Sequence, residues 1–234
     1  MSRYGRLMAQ GEITYALLPG AGGRATWFYS RLTPLLQRAG HEAIAIDLPG
    51  ADGSAGLPEY AEIVTRALEG RSQVVLVAQS MGGFTAPLVA QRTPLESLVL
   101  LNAMIPVPGE RAGEWWENTG VSAEREAAAR RHGYPENFDL ETYFLHDMDP
   151  VAVAQSEEEA SDEAAAAFDS PCAFGSWPDV PLHVVAGADD RFFPVEFQQR
   201  LARERLGLEA DVLPGGHMLA LSQPTALAAY LLEL

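Results

Sequence analysis

Six short apolar runs, spaced apart by segments of helical length, constrain this chain more than any other feature. They are 12–18 "EITYALL", 42–47 "EAIAID", 73–78 "QVVLVA", 97–101 "SLVLL", 182–186 "LHVVA" and 209–213 "EADVL". Most are apolar at consecutive positions rather than at alternate ones, which a strand tolerates only when both faces of its sheet are covered. Helical patterns fit 27–38, 59–69, 81–92, 195–206 and 223–233. Strands alternating with helices predict an α/β fold, a mostly parallel, doubly wound sheet. With 234 residues, of which 47% are hydrophobic, one core accounts for the chain, so 1–234 is read as one domain.

The rhythm breaks once. Residues 103–178 hold no convincing strand and instead carry "GEWWENTG", "SAEREAAARRHG", "FDLETYFLHD" and "SEEEASDEAAAAF". Lying between two strands, this stretch is expected to rise above the sheet edge as a helical cap. The acidic run 157–163 reads as a solvated helix face.

Charge narrows the partners. There are 32 acidic residues against 16 basic ones, every basic one is arginine, and the net charge of -16 disfavours nucleic acid and anionic membranes. The single cysteine, Cys172, rules out an internal disulfide and any multi-cysteine metal site, and points to a reducing compartment. The N-terminal "MSRYGRLMAQGEI" has no apolar core of a signal peptide, and no run of about 18 apolar residues is present. A cytoplasmic protein without metal or cofactor is expected. Whether it forms a homodimer is left open.

The chemistry gathers at strand ends, where open α/β sheets bind ligands. In "VVLVAQSMGGFTAPLV" Ser80 stands between a strand and a helix, nearly in the GxSxG pattern of a nucleophile elbow, with Ala78 where the first glycine is usual. Alone, such a serine could equally cap a helix. Two further polar groups change the balance: aspartates in "HVVAGADDRFFP" and His217 in "ADVLPGGHMLALS", each at a strand end and in the order Ser, acid, His. Asp189 and Asp190 both qualify as the acid. His183 reads as a strand core residue, and His41, His132 and His146 as structural or solvated. Backbone donors for an oxyanion are expected from Met81, at the start of its helix, and from Ala21 in "LLPGAGGRATW". The "GAGG" loop is no phosphate loop, because it lacks the following Lys-Ser/Thr.

These blocks resemble the α/β-hydrolase superfamily. "PGAGGRATWFYSRLTPLLQRAGHEAIAIDLPGADGS", "AQSMGGFTAPLVAQRTP" and "GGHMLALSQP" are similar to the branch of plant methyl-ester hydrolases and hydroxynitrile lyases and its bacterial relatives. The resemblance implies Ser80 as nucleophile, His217 as base, Asp190 as acid through the Gly187-to-Pro194 spacing GxxDxxxP, and Ala21 and Met81 as the oxyanion hole. The chain departs from the branch at Pro19, where histidine is usual, at Ala78, and at Met218, where the lyases use lysine. The absence of any lysine argues against that lyase mechanism. The expected activity is hydrolysis of a small to medium uncharged carboxylic ester through an acyl-enzyme. The alternatives are a non-catalytic ligand-binding protein and a carbon–carbon bond hydrolase using the same residues. Trp27, Trp115, Trp116 and Met218 are the candidate substrate-binding residues, against the reading that such aromatics pack on the sheet.

Overall fold

The computed structural model describes residues 12–159 and 161–234. The strands are β1 (Thr14–Leu18), β2 (Glu42–Ala45), β3 (Val74–Gln79), β4 (Ser97–Leu101), β5 (Leu182–Gly187) and β6 (Ala210–Leu213). The helices are α1 (Ala25–Phe28), α2 (Thr33–Arg38), α3 (Leu57–Ala67), α4 (Gly82–Ala90), α5 (Ala112–Thr119), α6 (Val121–His132), α7 (Pro150–Glu159), α8 (Ala165–Asp169), α9 (Val195–Leu206), α10 (Leu219–Ser222) and α11 (Pro224–Leu231). A π-helical turn, Glu141–Leu145, precedes α7.

All six strands pair in parallel, in the order β2-β1-β3-β4-β5-β6. The continuous apolar runs now have their cause. Along β3, Val74, Leu76 and Ala78 enter one core with α3, α4 and α9, while Val75 and Val77 enter the other with α1, α2 and α11. Successive side chains alternate between faces, and helices dry both. The strand order reverses between β1 and β3, so their following loops diverge and leave a crevice at the carboxyl edge.

The helix expected over 27–38 is two pieces. Phe28, Leu32 and Leu36 all enter one core at helical spacing, which is why the pattern runs through the break. Pro34 sits in the first turn of α2, where its missing N–H costs nothing, and marks a fresh start. The short α10 lies outside the helix expected over 223–233, directly after His217 and Met218.

Between β4 and β5 the described residues form helices and one isolated bridge, Arg111 to Pro171. Trp115 is a correction: it is fully buried, its indole N–H donates to the Ile105 carbonyl at 3.2 Å, and its ring packs on Phe193 and Phe197. It belongs to the core, not to a ligand pocket. The acidic run needs correcting too. The side chains of 157–160 lie outside the described residues, but Glu163 falls between α7 and α8, half-buried and hydrogen-bonded, rather than on a solvated helix face. Most of the N-terminal stretch judged for a signal peptide also lies outside the described residues. Among those described, no helix is long and apolar enough to cross a membrane.

Cys172 is buried, its thiol donates to the Phe84 carbonyl at 3.1 Å, and burial pushes its pKa up to about 12. Native protein is therefore expected to resist iodoacetamide at about pH 8, where ordinary thiols react, and to take up one adduct by mass only after unfolding in urea. Rapid labelling of native protein would contradict this.

Candidate active site

The turn from β3 into α4 holds Ser80 at φ 49°, a left-handed conformation that non-glycine residues seldom adopt. Neighbouring backbone imposes it. Ser80 N donates to Leu101 O at 3.2 Å, and its carbonyl accepts from Gly83 N at 3.1 Å and Met104 N at 2.9 Å. Strain of about 1–3 kcal/mol persists only where surroundings fix it this firmly. Small residues make the turn passable: a Cβ on Gly82 would lie 2.6 Å from Pro19 O, and one on Gly83 would lie 2.0 Å from Met104 O. Ala78 lies two residues before Ser80, inside β3 with its methyl in the core, so no glycine is required there.

From Ser80 a row of hydrogen bonds leads inward. Ser80 Oγ is 3.2 Å from His217 Nε2, and His217 Nδ1 is 2.9 Å from Asp190 Oδ2. Asp190 Oδ1 accepts from Phe192 N at 2.8 Å and Phe193 N at 2.9 Å, which holds the carboxylate in place. Asp189 is exposed and engages Gly215 O through its backbone N–H, so of the two aspartates it is Asp190 that faces the imidazole. His217 is fully buried, boxed edge-on by Phe144, Phe192 and Phe193 with ring centroids 4.8 to 5.1 Å away. A carboxylate accepting Nδ1–H leaves the Nε2 lone pair turned toward the serine, which is what proton removal from a hydroxyl needs.

Three buried amides were not legible in the sequence. Asn102, at φ 43°, donates to Gly216 O and His217 O at 3.0 and 3.2 Å and accepts from Gly187 N at 2.7 Å. Gln198 Nε2 donates to Phe193 O at 2.7 Å and reaches Asp190 Oδ2 at 3.2 Å. Gln79 Nε2 lies 3.2 Å from His217 Nε2, beside the serine hydroxyl. Asn102 at the end of β4 and Gln198 one turn into α9 had a positional signal, a polar residue at the carboxyl edge, but no motif.

Across from Ser80 runs the loop after β1. A Cβ on Gly20 would lie 2.5 Å from Gln79 Oε1 and 2.8 Å from Ser80 Cβ, so the loop can approach the elbow this closely only as glycine. Among the described residues, neither the Ala21 nor the Met81 backbone N–H donates to a protein acceptor. Pro19 is buried and supplies the carbonyl that Gly82 packs against. A cavity of about 540 Å³ opens over Ser80, and its walls include Trp27, Met81, Trp116, Phe144, Phe192 and Met218. Of the four candidate substrate-binding residues, Trp27, Trp116 and Met218 thus line it.

The other histidines stand apart from this row. His146 is held below its ordinary pKa by burial, as is His183 in β5; His132 stacks on Tyr134, and His41 Nδ1 accepts from Ile13 N. Glu163 is raised by burial, against which its hydrogen bonds to Tyr60 and Gly22 act. Among the described residues no group of three or more His, Cys, Asp or Glu is placed to hold a metal.

The family model described as "Alpha/beta hydrolase family" matches residues 16–230, nearly the whole chain. The chain belongs to the α/β-hydrolase family. Among its relatives, this α/β hydrolase is 23% identical to polyneuridine aldehyde esterase of Rauvolfia serpentina over 249 residues, 93% of this chain and 94% of that one. It is 32% identical to "Probable esterase PIR7A" of Oryza sativa over 104 residues, a match that spans only 39% of either protein. Among solved structures, the methylesterase MES16 of Arabidopsis superposes with a TM-score of 0.74 at 22% identity, covering 94% of this chain and 98% of that one, a likeness of fold. These relatives fall in the plant methylesterase-like branch of the family.

Proposed function

We propose that this α/β hydrolase is a serine carboxylesterase acting on small to medium, uncharged esters. The observation that carries the reading is the buried row Ser80, His217, Asp190 beneath a largely apolar cavity. Ser80 Oγ attacks the ester carbonyl while His217 Nε2 takes its proton, and Asp190 keeps the other ring proton on Nδ1. The tetrahedral oxyanion is met by the N–H groups of Ala21 and Met81, the latter at the positive end of α4. His217 then protonates the leaving alcohol, and water releases the acyl group by the same route. The stretch 103–178 acts as a cap on a single domain, with Trp27, Trp116 and Met218 holding the ester's apolar groups. Esterase-named relatives support the general chemistry. The net charge of -16 disfavours anionic substrates, and a lone, buried thiol suits work in the cytoplasm.

A fluorophosphonate probe is expected to label the native protein and not Ser80→Ala. Folded protein that stays unlabelled would sink the reading. A panel of p-nitrophenyl esters of rising acyl length, run beside aryl methyl esters, then locates the preferred substrate.

A further inference from the structure

We propose that Glu163 is a positioning residue for this reaction, reaching down from the stretch between α7 and α8 to fix the β1 loop that carries the Ala21 N–H. The proposal rests on the serine-esterase reading above. Glu163 Oε2 accepts from Gly22 N at 2.6 Å, and Oε1 accepts from the Tyr60 hydroxyl at 2.5 Å. Tyr60 is buried on α3 and packed in the core, so the carboxylate spans from a rigid helix to the loop.

Backbone alone fills the rest of this corner. A Cβ on Gly22, at φ 86°, would lie 2.5 Å from Ser161 O, and one on Gly23, at φ 74°, would lie 2.0 Å from Leu48 O. A Cβ on Gly50 would come within 2.6 Å of Gly22 C and 2.9 Å of Glu163 Oε2, and Ala164 N donates to Gly50 O at 2.7 Å. Three chain segments therefore meet at glycines, with the Glu163 side chain inserted among them. The peptide unit joining Ala21 to Gly22 is planar, so pinning the Gly22 N–H pins the Ala21 carbonyl as well. Gly23 N closes the turn onto Gly20 O at 3.3 Å, and Gly20 already abuts Ser80. The only soft torsions left near the Ala21 N–H are its own two. An oxyanion donor acts through where it points, so a tie one peptide away bears on the chemical step more than on substrate affinity.

The test measures kcat per active site, with sites counted by fluorophosphonate titration. Glu163→Ala is expected to lower kcat about 10-fold or more with KM held within about twofold, since losing one oxyanion donor outright costs on the order of 100-fold. Glu163→Gln is expected to restore kcat to within about threefold, because its amide oxygen still accepts from Gly22 N–H and the Tyr60 hydroxyl can turn to accept. Tyr60→Phe, which frees one oxygen of the carboxylate, should fall between, and it decides the matter if Glu163→Ala does not fold. An unchanged kcat per labelled site in the alanine variant, or in Tyr60→Phe where only that variant folds, overturns the proposal. So does a glutamine variant as slow as alanine, or a loss confined to the labelled fraction, which marks a purely structural role. Wild-type protein that neither labels nor hydrolyses p-nitrophenyl esters overturns the esterase reading itself, and this inference with it.

Discussion

Ser80→Ala, His217→Ala and the double variant are each expected to lower kcat by the same factor, on the order of 10⁶. The equality matters more than the size. In the proposed mechanism hydroxyl and imidazole, 3.2 Å apart, act in one proton transfer, so once either is gone the other has no partner to serve. A residual rate about 10³ to 10⁴ above water should survive in all three, because cavity binding and the proposed oxyanion donors, the Ala21 and Met81 N–H groups, remain. KM should change little, since neither side chain is asked to bind ground-state ester. Single-turnover rates with a p-nitrophenyl ester check this. If the two single losses multiply in the double variant, the residues work independently and the shared mechanism is wrong.

Asn102→Leu is expected to have the largest effect on stability. Leucine removes a donor from two buried carbonyls, Gly216 O and His217 O, and an acceptor from the buried Gly187 N–H. Each group left without a partner costs about 1–3 kcal/mol, and a leucine at φ 43° adds backbone strain that asparagine escapes, so a total of about 4 kcal/mol or more is expected. That is a large share of the about 5–15 kcal/mol that holds a domain folded. Urea unfolding followed by circular dichroism measures it. Asn102→Asp gives the control: it keeps the backbone preference and the bond from Gly187 N, yet turns an acceptor toward two carbonyls. A midpoint within error of wild type for both variants would show that Asn102 does not tie these loops.

The sheet was legible because each strand is apolar on both faces and so unlike its surroundings. β4 and α9 fall where the runs 97–101 and 195–206 place them, and the other strand ends shift by two residues or fewer. Helix breaks were less legible, as at 27–38, where one core face carries the periodicity across Tyr29 to Leu32. In the site, Ser80 and His217 announced themselves through small neighbours at strand ends. The aspartate pair was separable only by a family spacing, and in space by which carboxylate meets Nδ1. Asn102 and Gln198 offered only a position at the carboxyl edge, without a motif, and Glu163 offered neither. Asn102 and Glu163 work by bridging segments far apart in sequence, Glu163 reaching Gly22 across 141 positions, and Gln198 by tying the turn that carries Asp190 to its own helix, partnerships that only the closed fold defines. Trp115 misled for the converse reason: a tryptophan pair on a short helix offers one ring to each side, and the one beside it, Trp116, took the cavity.

Among the described residues β6 forms a margin of the sheet, paired with β5 alone, and His217 follows it by four residues, whereas Ser80 springs from β3 in the interior. Margins of a sheet open locally at a lower free energy than its centre. The proposed base is thus mounted near a margin of the sheet and the proposed nucleophile near its centre, so local opening at β6 is expected to reach His217 before Ser80. Warming should silence the enzyme reversibly while most of its backbone is still intact.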